Sequence, residues 1–486
     1  MSLEERVIEA AEVLSPSEIE PEADSNAEPA LKAKPVEETE RLASVDVIRG
    51  VALLGILAMN INGFGWPDPV YSTPTGDPDA GTLDVALWAF NHLVFDTKMM
   101  TLFSMLFGAG LVLMGDRAEA RGATFRGVYY RRVTWLLVIG AIHAYLIWEG
   151  DVLVFYALCG FLLYPFRRLG PKTLIITGLC FNLMIVPVLL GFKYVVVPYM
   201  ETTAKKFNER EEAWKTATKD HPADKNIKKL KPDGWDAEVR DGWQEMKNRK
   251  PRRADFLKAI AVRRSDYFTI VKARAKEQIW GHTFGFVLGM WWFAGGRMLM
   301  GMGLMKLGVF GAKCSRNTYR LMMVFGYGIG LPVMAFDIYH QITNDFFVGR
   351  SLEYTLQFWP TLLIYGSLPV VVGHIGLVML ICRSNAIPWL TRRLAAVGRM
   401  ALSNYLFDSI VFTTLFYGYG LDFYASLHRP MLYLLVLAVW TFQLLVSPIW
   451  LEYFRFGPAE WLWRSLTYWK LQSMRPKHRM EPLPVG

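Results

Sequence analysis

The sequence has few cysteines and lacks the short motifs of the common soluble enzymes. Four cysteines occur among 486 residues, and they form no C-x-x-C pair and no His/Cys spacing suited to a metal. Cys159, Cys180, Cys314 and Cys382 lie in or beside apolar segments, so we predict that they pack in the core. There is no P-loop, H-E-x-x-H or G-x-S-x-G. The chemistry must therefore be sought in the apolar segments themselves.

Those apolar segments dominate the chain. Hydrophobic residues make up 52% of the sequence, aromatic residues 14%, and the mean hydropathy is +0.21. This composition is too apolar for an ordinary soluble enzyme, and the hydrophobic residues fall in blocks of membrane-spanning length. We predict an all-α polytopic transmembrane bundle with about ten spans, near residues 45–63, 97–115, 133–149, 151–166, 173–199, 281–306, 319–340, 357–382, 398–418 and 430–454.

Charge is distributed unevenly along the chain. The first forty residues contain 12 acidic and 3 basic side chains, which predicts a disordered acidic tail without the features of a signal peptide. The remainder carries 50 Lys and Arg against 32 Asp and Glu, a net charge of +18. Most of these basic residues lie in short loops on one side of the spans, which places both termini in the cytoplasm. Membrane topology explains the basic balance, so we expect the lipid bilayer, and no nucleic acid, as a partner.

A long charged segment interrupts the spans. Residues 201–280 hold 21 basic and 14 acidic side chains in a roughly helical pattern, which predicts a helical extracytoplasmic insertion. Residues 83–96 and 387–397 have the mixed composition of interfacial helices. Gly281, Gly285 and Gly289 have the spacing that lets two helices pack closely. The predicted organisation is an acidic tail at 1–40, spans one to five at 41–200, the insertion at 201–280, spans six to ten at 281–470 and a basic tail at 471–486.

The first span carries a polar stripe. Asp46, Arg49 and Gly50 lie at its inner end and Asn60 lies near its outer end. At about 100° per residue, Arg49 and Asn60 fall within about 20° of each other on the helix and about 16 Å apart along it. Asp46 and Arg49 also have the i,i+3 spacing of a structural ion pair. The stripe therefore predicts either a polar path through the bundle or a helix-start ion pair.

The third span ends in the best candidate for a general base. His143 lies about one and a half turns inside the outer end, and the hairpin that follows contains Glu149 and Asp151. A histidine beside carboxylates can remove a proton from an alcohol or amine near neutral pH. The alternative is a core histidine that binds a backbone carbonyl. His374, within span eight, is the only serious rival.

Further polar residues lie in later spans. Arg297 is far from either end of span six, so it must bind a carboxylate such as Asp46 or Asp408, a carbonyl array or a phosphate. Arg399, Asn404 and Asp408 open span nine, where such polar density requires a protein or water environment. The aromatic and charged segment 452–464 has the composition of an interfacial anchor.

Several of these motifs resemble the YeiB-like family of multi-pass bacterial membrane proteins, a family whose biochemical function is unknown. The resemblance covers residues 41 to about 470. It rests on the D-x-x-R-G opening of span one, Leu102–Gly110, the segment from His143 to Asp151, G-R-M-A-L-S-N-Y at 398–405, and G-P-A-E-W-L-W-R at 457–464.

By more distant similarity, that family is grouped with transmembrane acyltransferases. The resemblance implies a bacterial plasma-membrane enzyme that moves an acyl group from cytoplasmic acyl-CoA to a small-molecule, glycan or lipid acceptor at the outer face. Related O-acetyltransferases have a histidine where this chain has Asn60, so His143 would supply the base.

The predicted site then has three parts. Catalysis would use His143, Asp151 and Asn60. No tightly bound cofactor is expected. Acyl-CoA, as the donor substrate, would bind at Asp46, Arg49, Arg297 and Arg399, and the acceptor at Glu149, Asn404 and Asp408. The alternatives are a solute or lipid transporter or flippase, and a non-catalytic membrane regulator. Each of these three functions is compatible with a homo-oligomer.

Overall fold

The computed structural model describes residues 42–76, 80–220, 234–248, 253–343, 346 and 359–475. Within these ranges the chain forms helices and no strand, which confirms the all-α prediction. The predicted tail at 1–40 and most of the tail at 471–486 lie outside the described residues. The main helices are α1 Ala43–Gly65, α2 Thr82–Val94, α3 Lys98–Ala120, α4 Arg126–Ile142, α5 Leu153–Leu163, α6 Pro171–Leu183, α7 Ile185–Gly191, α8 Val197–Asp220, α9 Gly234–Asn248, α10 Arg253–Arg263, α11 Tyr267–Trp280, α12 Gly296–Lys306, α13 Arg316–Thr343, α14 Trp359–Ser384, α15 Pro388–Arg399, α16 Ala401–Phe416, α17 Arg429–Tyr453 and α18 Pro458–Tyr468.

Several of these helices are long and apolar enough to cross a membrane. Among the described residues they are α1 (Ala43–Gly65), the stretch Thr82–Ala120 that contains α2 and α3, α13 (Arg316–Thr343), the part Ser367–Ser384 of α14, and α17 (Arg429–Tyr453). The most apolar window of α17 is only 17% buried and that of α13 only 22% buried. The apolar faces of these helices are largely uncovered by the rest of the protein, so they suit a lipid environment. The bundle prediction is thus confirmed, while the count of ten spans and the side of the termini stay predictions.

Helix α1 is the central element, because its most apolar window is 78% buried. It crosses α15 through two facing glycines. A Cβ atom on Gly50 would lie 2.1 Å from the carbonyl oxygen of Leu394, and one on Gly398 would lie 1.9 Å from that of Asp46. Only glycine allows backbones to approach this closely. The crossing brings the start of α1 against the end of α15.

A second glycine crossing joins α3 and α12. A Cβ atom on Gly108 would lie 2.0 Å from a carbonyl oxygen of α12, and one on Gly301 would lie 1.9 Å from a carbonyl oxygen of α3. The expected close approach at Gly281, Gly285 and Gly289 is wrong. These three residues lie in wide π-helical turns, and added Cβ atoms at Gly281 and Gly289 would meet no atom of the described residues within 4 Å.

The predicted fifth span leads directly into the insertion. It consists of α6, α7 and a π-helical turn at Phe192–Val196, which continues as α8. The described residues of 201–280 are almost entirely helical and form the rest of α8 and α9 to α11. The insertion is therefore a helical extension of the bundle.

The four cysteines are free thiols. Cys159 is fully buried in α5, as the core prediction requires. Cys180 is exposed on the outer face of α6, so that prediction is wrong for this residue.

Candidate functional site

His143 lies at the centre of a buried chain of hydrogen bonds. Its Nδ1 is 2.8 Å from Oδ1 of Asp151, and its Nε2 is 2.8 Å from Oγ of Ser409 on α16. The side chains of His143 and Asp151 are both 0% exposed. A carboxylate next to one ring nitrogen fixes the tautomer and leaves the other nitrogen as an acceptor. The three side chains thus form an Asp–His–Ser arrangement inside the bundle.

The local backbone explains this placement. α4 ends at Ile142, a π-helical turn at His143–Ile147 follows, and a short hairpin leads to α5. The second oxygen of Asp151 accepts the backbone N–H of Val154 at 2.8 Å, which caps the start of α5. The carboxylate therefore has both oxygens engaged, and its position is fixed relative to the imidazole.

A cavity of about 250 Å³ opens among α1, α3, α4, α15, α16 and α18. Its polar lining includes five arginines and two carboxylates, and much of the rest is apolar or aromatic. Four of the five arginines lie near the start of α1 or α4 or near the end of α3 or α15, and the fifth lies on α18. These parts of the helices meet at one end of the bundle. The five arginines are Arg49, Arg117, Arg132, Arg399 and Arg464.

Both carboxylates of this arginine cavity are engaged by neighbouring groups. Asp46 pairs with Arg49 at 2.8 Å. Glu460 accepts the backbone N–H groups of Leu402 and Ser403 at the start of α16. Five guanidinium groups against two engaged carboxylates leave the cavity positive. Burial, with a further contribution from the positive charge of Arg132, lowers the pKa of Arg464 to about 10, so an anion is favoured there.

The far end of the arginine cavity lies against the His143 cluster. Val152, Leu153 and Tyr405 line it there, and Val152 directly follows Asp151 in the sequence. The Tyr405 ring is 5.0 Å from the His143 ring, centroid to centroid. The Tyr405 hydroxyl donates to the carbonyl oxygen of Gly150 at 3.3 Å. Tyr405 thus separates the cavity from the imidazole.

The two predicted acceptor residues of α16 are buried among polar partners. Asn404 donates to Oγ of Ser447 at 3.2 Å, and Asp408 accepts the side-chain amide of Gln443 at 2.6 Å. Both partners are on α17. These contacts join α16 to α17, and Asp408 directly precedes Ser409 in the sequence.

Glu149 contacts the insertion. It pairs with Arg263 at 2.6 Å and Arg274 at 3.1 Å, and it accepts the hydroxyl of Tyr417 at 3.1 Å. Burial opposes ionisation of the Glu149 carboxyl, but the two arginines and the tyrosine outweigh it and lower its pKa. The predicted acceptor residue is thus an anchor between the hairpin and α10 and α11.

Arg297 and Asn60 lie apart from the arginine cavity. Arg297 is 0% exposed, donates to Oδ1 of Asn182 at 2.8 Å, and stacks on the Phe293 ring at 3.3 Å. It also donates to the backbone carbonyl oxygen of Phe293 at 3.1 Å. Its described partners are therefore an amide, a backbone carbonyl and a ring, and they include neither of the two predicted carboxylates. Asn60 is half-buried on α1 and is not part of the cavity lining.

Two other histidines, the half-buried His374 and the buried His92, have different surroundings. His374 is bonded to the hydroxyl of Tyr327 at 2.8 Å and to a backbone carbonyl at 3.0 Å, as a structural core histidine would be. His92, expected on an interfacial helix, is 5% exposed and contacts Asp96 at 3.2 Å and Asp337 at 2.8 Å. Lys98, fully buried, lies next to this second cluster.

Sequence reasoning missed part of the site. The segment expected to be an interfacial anchor supplies Glu460, Trp463 and Arg464 to the cavity, and the Arg132 guanidinium stacks on Trp463 at 3.6 Å. Alternating aromatic and charged residues occur both at interfaces and in such linings, so the pattern alone does not separate them. Ser409 is 266 residues from His143 and carried no sequence signal.

The fold and site define a polytopic helical membrane protein with a buried Asp–His–Ser cluster above an arginine-lined cavity. A family model described as "Protein of unknown function (DUF418)" matches residues 304–470. The chain is 32% identical to the uncharacterized protein YeiB of Escherichia coli over 440 residues, which are 88% of this chain and 96% of YeiB. It therefore belongs to the YeiB family.

A second bacterial relative has a similar extent. The uncharacterized protein YxaH of Bacillus subtilis is 29% identical over 460 residues, covering 92% of this chain and 99% of YxaH. No solved structure matches the chain. The site geometry therefore has to be interpreted from its own residues.

Proposed function

We propose that this protein is an integral membrane acyltransferase of the bacterial plasma membrane. It would move an acyl group from cytoplasmic acyl-CoA to a hydroxyl or amine acceptor at the outer face. One observation carries the proposal: the arginine cavity ends at Tyr405, whose ring contacts the His143 imidazole. A site for an anionic donor and a base for proton transfer are thus adjacent.

The lining of the cavity suits the two chemical parts of an acyl-CoA. Phosphate groups are bound most strongly by guanidinium groups, and five are present. The apolar walls, which include Leu53, Ile56 and Phe107, suit an acyl chain and the thioester. Positive inner loops would place the arginines on the cytoplasmic side, where acyl-CoA is found.

His143 would act as the general base. Asp151 holds the Nδ1 proton and stabilises the imidazolium that forms when Nε2 takes a proton. General-base catalysis contributes roughly 10²- to 10⁴-fold, and binding and orientation contribute the rest.

The test is release of free CoA by the purified protein in liposomes, with acetyl-CoA and longer acyl-CoAs as donors and membrane extract as acceptor. We expect turnover in the wild type and its loss in His143→Ala. His374→Gln is the matched control, because His374 is half-buried within a helix of the bundle and its partners among the described residues are a hydroxyl and a backbone carbonyl. Wild-type protein without turnover for any donor, or equal turnover in both variants, would contradict the proposal.

One observation favours transport as a second candidate. The cluster of His92, Asp96, Asp337 and Lys98 is buried and joins α2 and α3 to α13. Ionisable groups at membrane depth are typical of proton-coupled carriers. A pH gradient that drives solute uptake into liposomes, with loss of uptake in Asp337→Asn, would favour this function over acyl transfer.

A further inference from the structure

The Ser409 hydroxyl is oriented as a proton donor toward His143. The Asp151 carboxylate accepts a hydrogen bond from Nδ1 of His143. The neutral imidazole therefore carries its proton on Nδ1 and presents a lone pair at Nε2. In the 2.8 Å contact between Nε2 and Oγ of Ser409 the hydroxyl must then be the donor, and this contact is shorter than the 3.3 Å from the same oxygen to the backbone carbonyl of Tyr405, the other acceptor within reach. A serine whose proton points at such a nitrogen is in the arrangement that activates it as a nucleophile.

Ser409 also lies next to the cavity. It is one helical turn, about 6 Å, beyond Tyr405 on the same face of α16, and Tyr405 lines the cavity. Ser409 itself is 1% exposed. A thioester that enters from the arginine end would therefore reach Oγ by passing the Tyr405 ring.

A buried donor without a partner lies beside the same imidazole. Among the described residues, Nε1 of Trp148 has no hydrogen-bond acceptor although it is buried. The indole packs edge-on to His143, with ring centroids 6.4 Å apart, and stacks on Phe64 at 3.9 Å. An unpaired buried N–H costs free energy unless a ligand accepts from it. A carbonyl oxygen that becomes negative during acyl transfer is such an acceptor.

We propose that Ser409 is the nucleophile of a two-step transfer through an acyl-serine ester. This inference rests on the proposed function and specifies its chemistry. In the first step Oγ of Ser409 attacks the thioester carbonyl, His143 takes the hydroxyl proton, and the C–S bond breaks. His143 then returns that proton to the thiolate, so free CoA leaves and the acyl group remains on Oγ.

In the second step Oγ of Ser409, the nucleophile of the first step, is the leaving group. The acceptor hydroxyl or amine attacks the ester carbonyl and gives its proton to His143. The bond between the acyl carbon and Oγ breaks, and His143 protonates Ser409. Each step exchanges one acyl group for one proton, and no oxidant or reductant is required.

The experiment is to incubate the full-length protein in liposomes with [¹⁴C]acetyl-CoA in the absence of acceptor, then to measure protein-bound label and map it by peptide mass spectrometry. We expect a stoichiometric adduct on Ser409 that resists neutral hydroxylamine and is released at alkaline pH. Ser409→Ala should lose the adduct and at least about 10²-fold in turnover. Ser409→Cys should carry a thioester that neutral hydroxylamine cleaves.

The control is Thr413→Val, one turn further on α16, whose hydroxyl donates to the backbone carbonyls of Ser409 and Ile410. It should keep both adduct and turnover, which separates loss of the nucleophile from disturbance of the helix. If Ser409→Ala keeps wild-type turnover, the acyl-serine is wrong and direct transfer stands. If the label maps to another residue, the acyl-serine is also wrong and the covalent intermediate lies on that residue. If the wild type releases no CoA, the proposed function itself fails.

Discussion

The Glu149 carboxylate accepts the Nε–H of Arg274 at 3.1 Å, although only one residue separates Glu149 from Asp151. The same hairpin therefore anchors the insertion on one side and orients His143 on the other. Arg274 is fully buried, so the contact is part of the protein interior. A displacement of the insertion that moves Glu149 would therefore also move Asp151, and with it the carboxylate that orients the His143 imidazole.

Acid should loosen the insertion. The two arginines hold the pKa of Glu149 below 4.5, the ordinary value, so the charged pairs stabilise the folded state fully above pH 4.5 and are lost as the pH falls through the lower pKa. We expect the protection of the amides of segment 263–280 against hydrogen exchange, relative to the intrinsic exchange rate at each pH, to fall below pH 4.5 in the wild type. Glu149→Gln should show fast exchange already at pH 7, whereas Glu211→Gln, which removes an ion pair within the insertion, should not. Identical exchange in Glu149→Gln and wild type would refute the anchor.

Asp151→Asn should impair catalysis more than folding. An amide can donate to Nδ1 and so favours the tautomer that carries its proton on Nε2, which removes the base. We expect CoA release to fall about 10²- to 10⁴-fold while the protein stays monodisperse in detergent. Asp84→Asn, which changes a buried carboxylate that accepts the backbone N–H groups of Arg429 and Gly81, is the control. Equal losses in the two variants would argue against a special role for Asp151.

Two of the three predicted donor arginines, Arg399 and Arg297, should behave differently. Arg399 lines the cavity, so Arg399→Gln should weaken CoA binding roughly 10-fold or more, because a hydrogen bond to a charged group contributes about 1.5–3 kcal/mol. Arg297 lies among Asn182 and Phe293, so Arg297→Gln should lower the melting temperature and leave the affinity of the folded protein unchanged. Calorimetric titration with CoA and thermal unfolding measure the two effects. Weaker CoA binding in Arg297→Gln would return that residue to the donor site.

The crossing of α1 and α15 should not tolerate a methyl group. Gly398→Ala places Cβ 1.9 Å from the carbonyl oxygen of Asp46, so the helices must separate, at a cost of about 1–3 kcal/mol. We expect lower thermal stability and weaker CoA binding together, since the arginine cavity lies beside the crossing. Gly127→Ala, where an added Cβ meets no atom within 4 Å in the part of the chain that the structure describes, should be neutral or stabilising. A Gly398→Ala protein as stable as the wild type would show that the crossing is not tight.

Local sequence predicted what lies close along the chain. His143 and Asp151 are eight residues apart, and their depth at the end of an apolar segment indicated that they would meet. Asp46 and Arg49 are separated by one turn, so their pairing follows from helix geometry alone. Span lengths followed from hydropathy, because the apolar segments must be long enough to cross the bilayer.

Long-range packing explains what the sequence did not predict. Arg297 had to have a partner, but the partner depends on the α6–α12 contact, which brings Asn182 into reach. Ser409 is a small polar residue in an apolar helix, and most such residues only donate to a backbone carbonyl. Its contact with His143 depends on how α16 is rotated, and hydropathy does not report rotation.

The position of Tyr405 also concerns the membrane itself. Where a membrane stores energy as a proton gradient, a water-filled passage through the bundle would discharge it. The Tyr405 ring lies between the cavity and a histidine that is 0% exposed, so the arginine end can be wet while the imidazole stays dry. A chemical group could then be handed across the bilayer without a leak of ions.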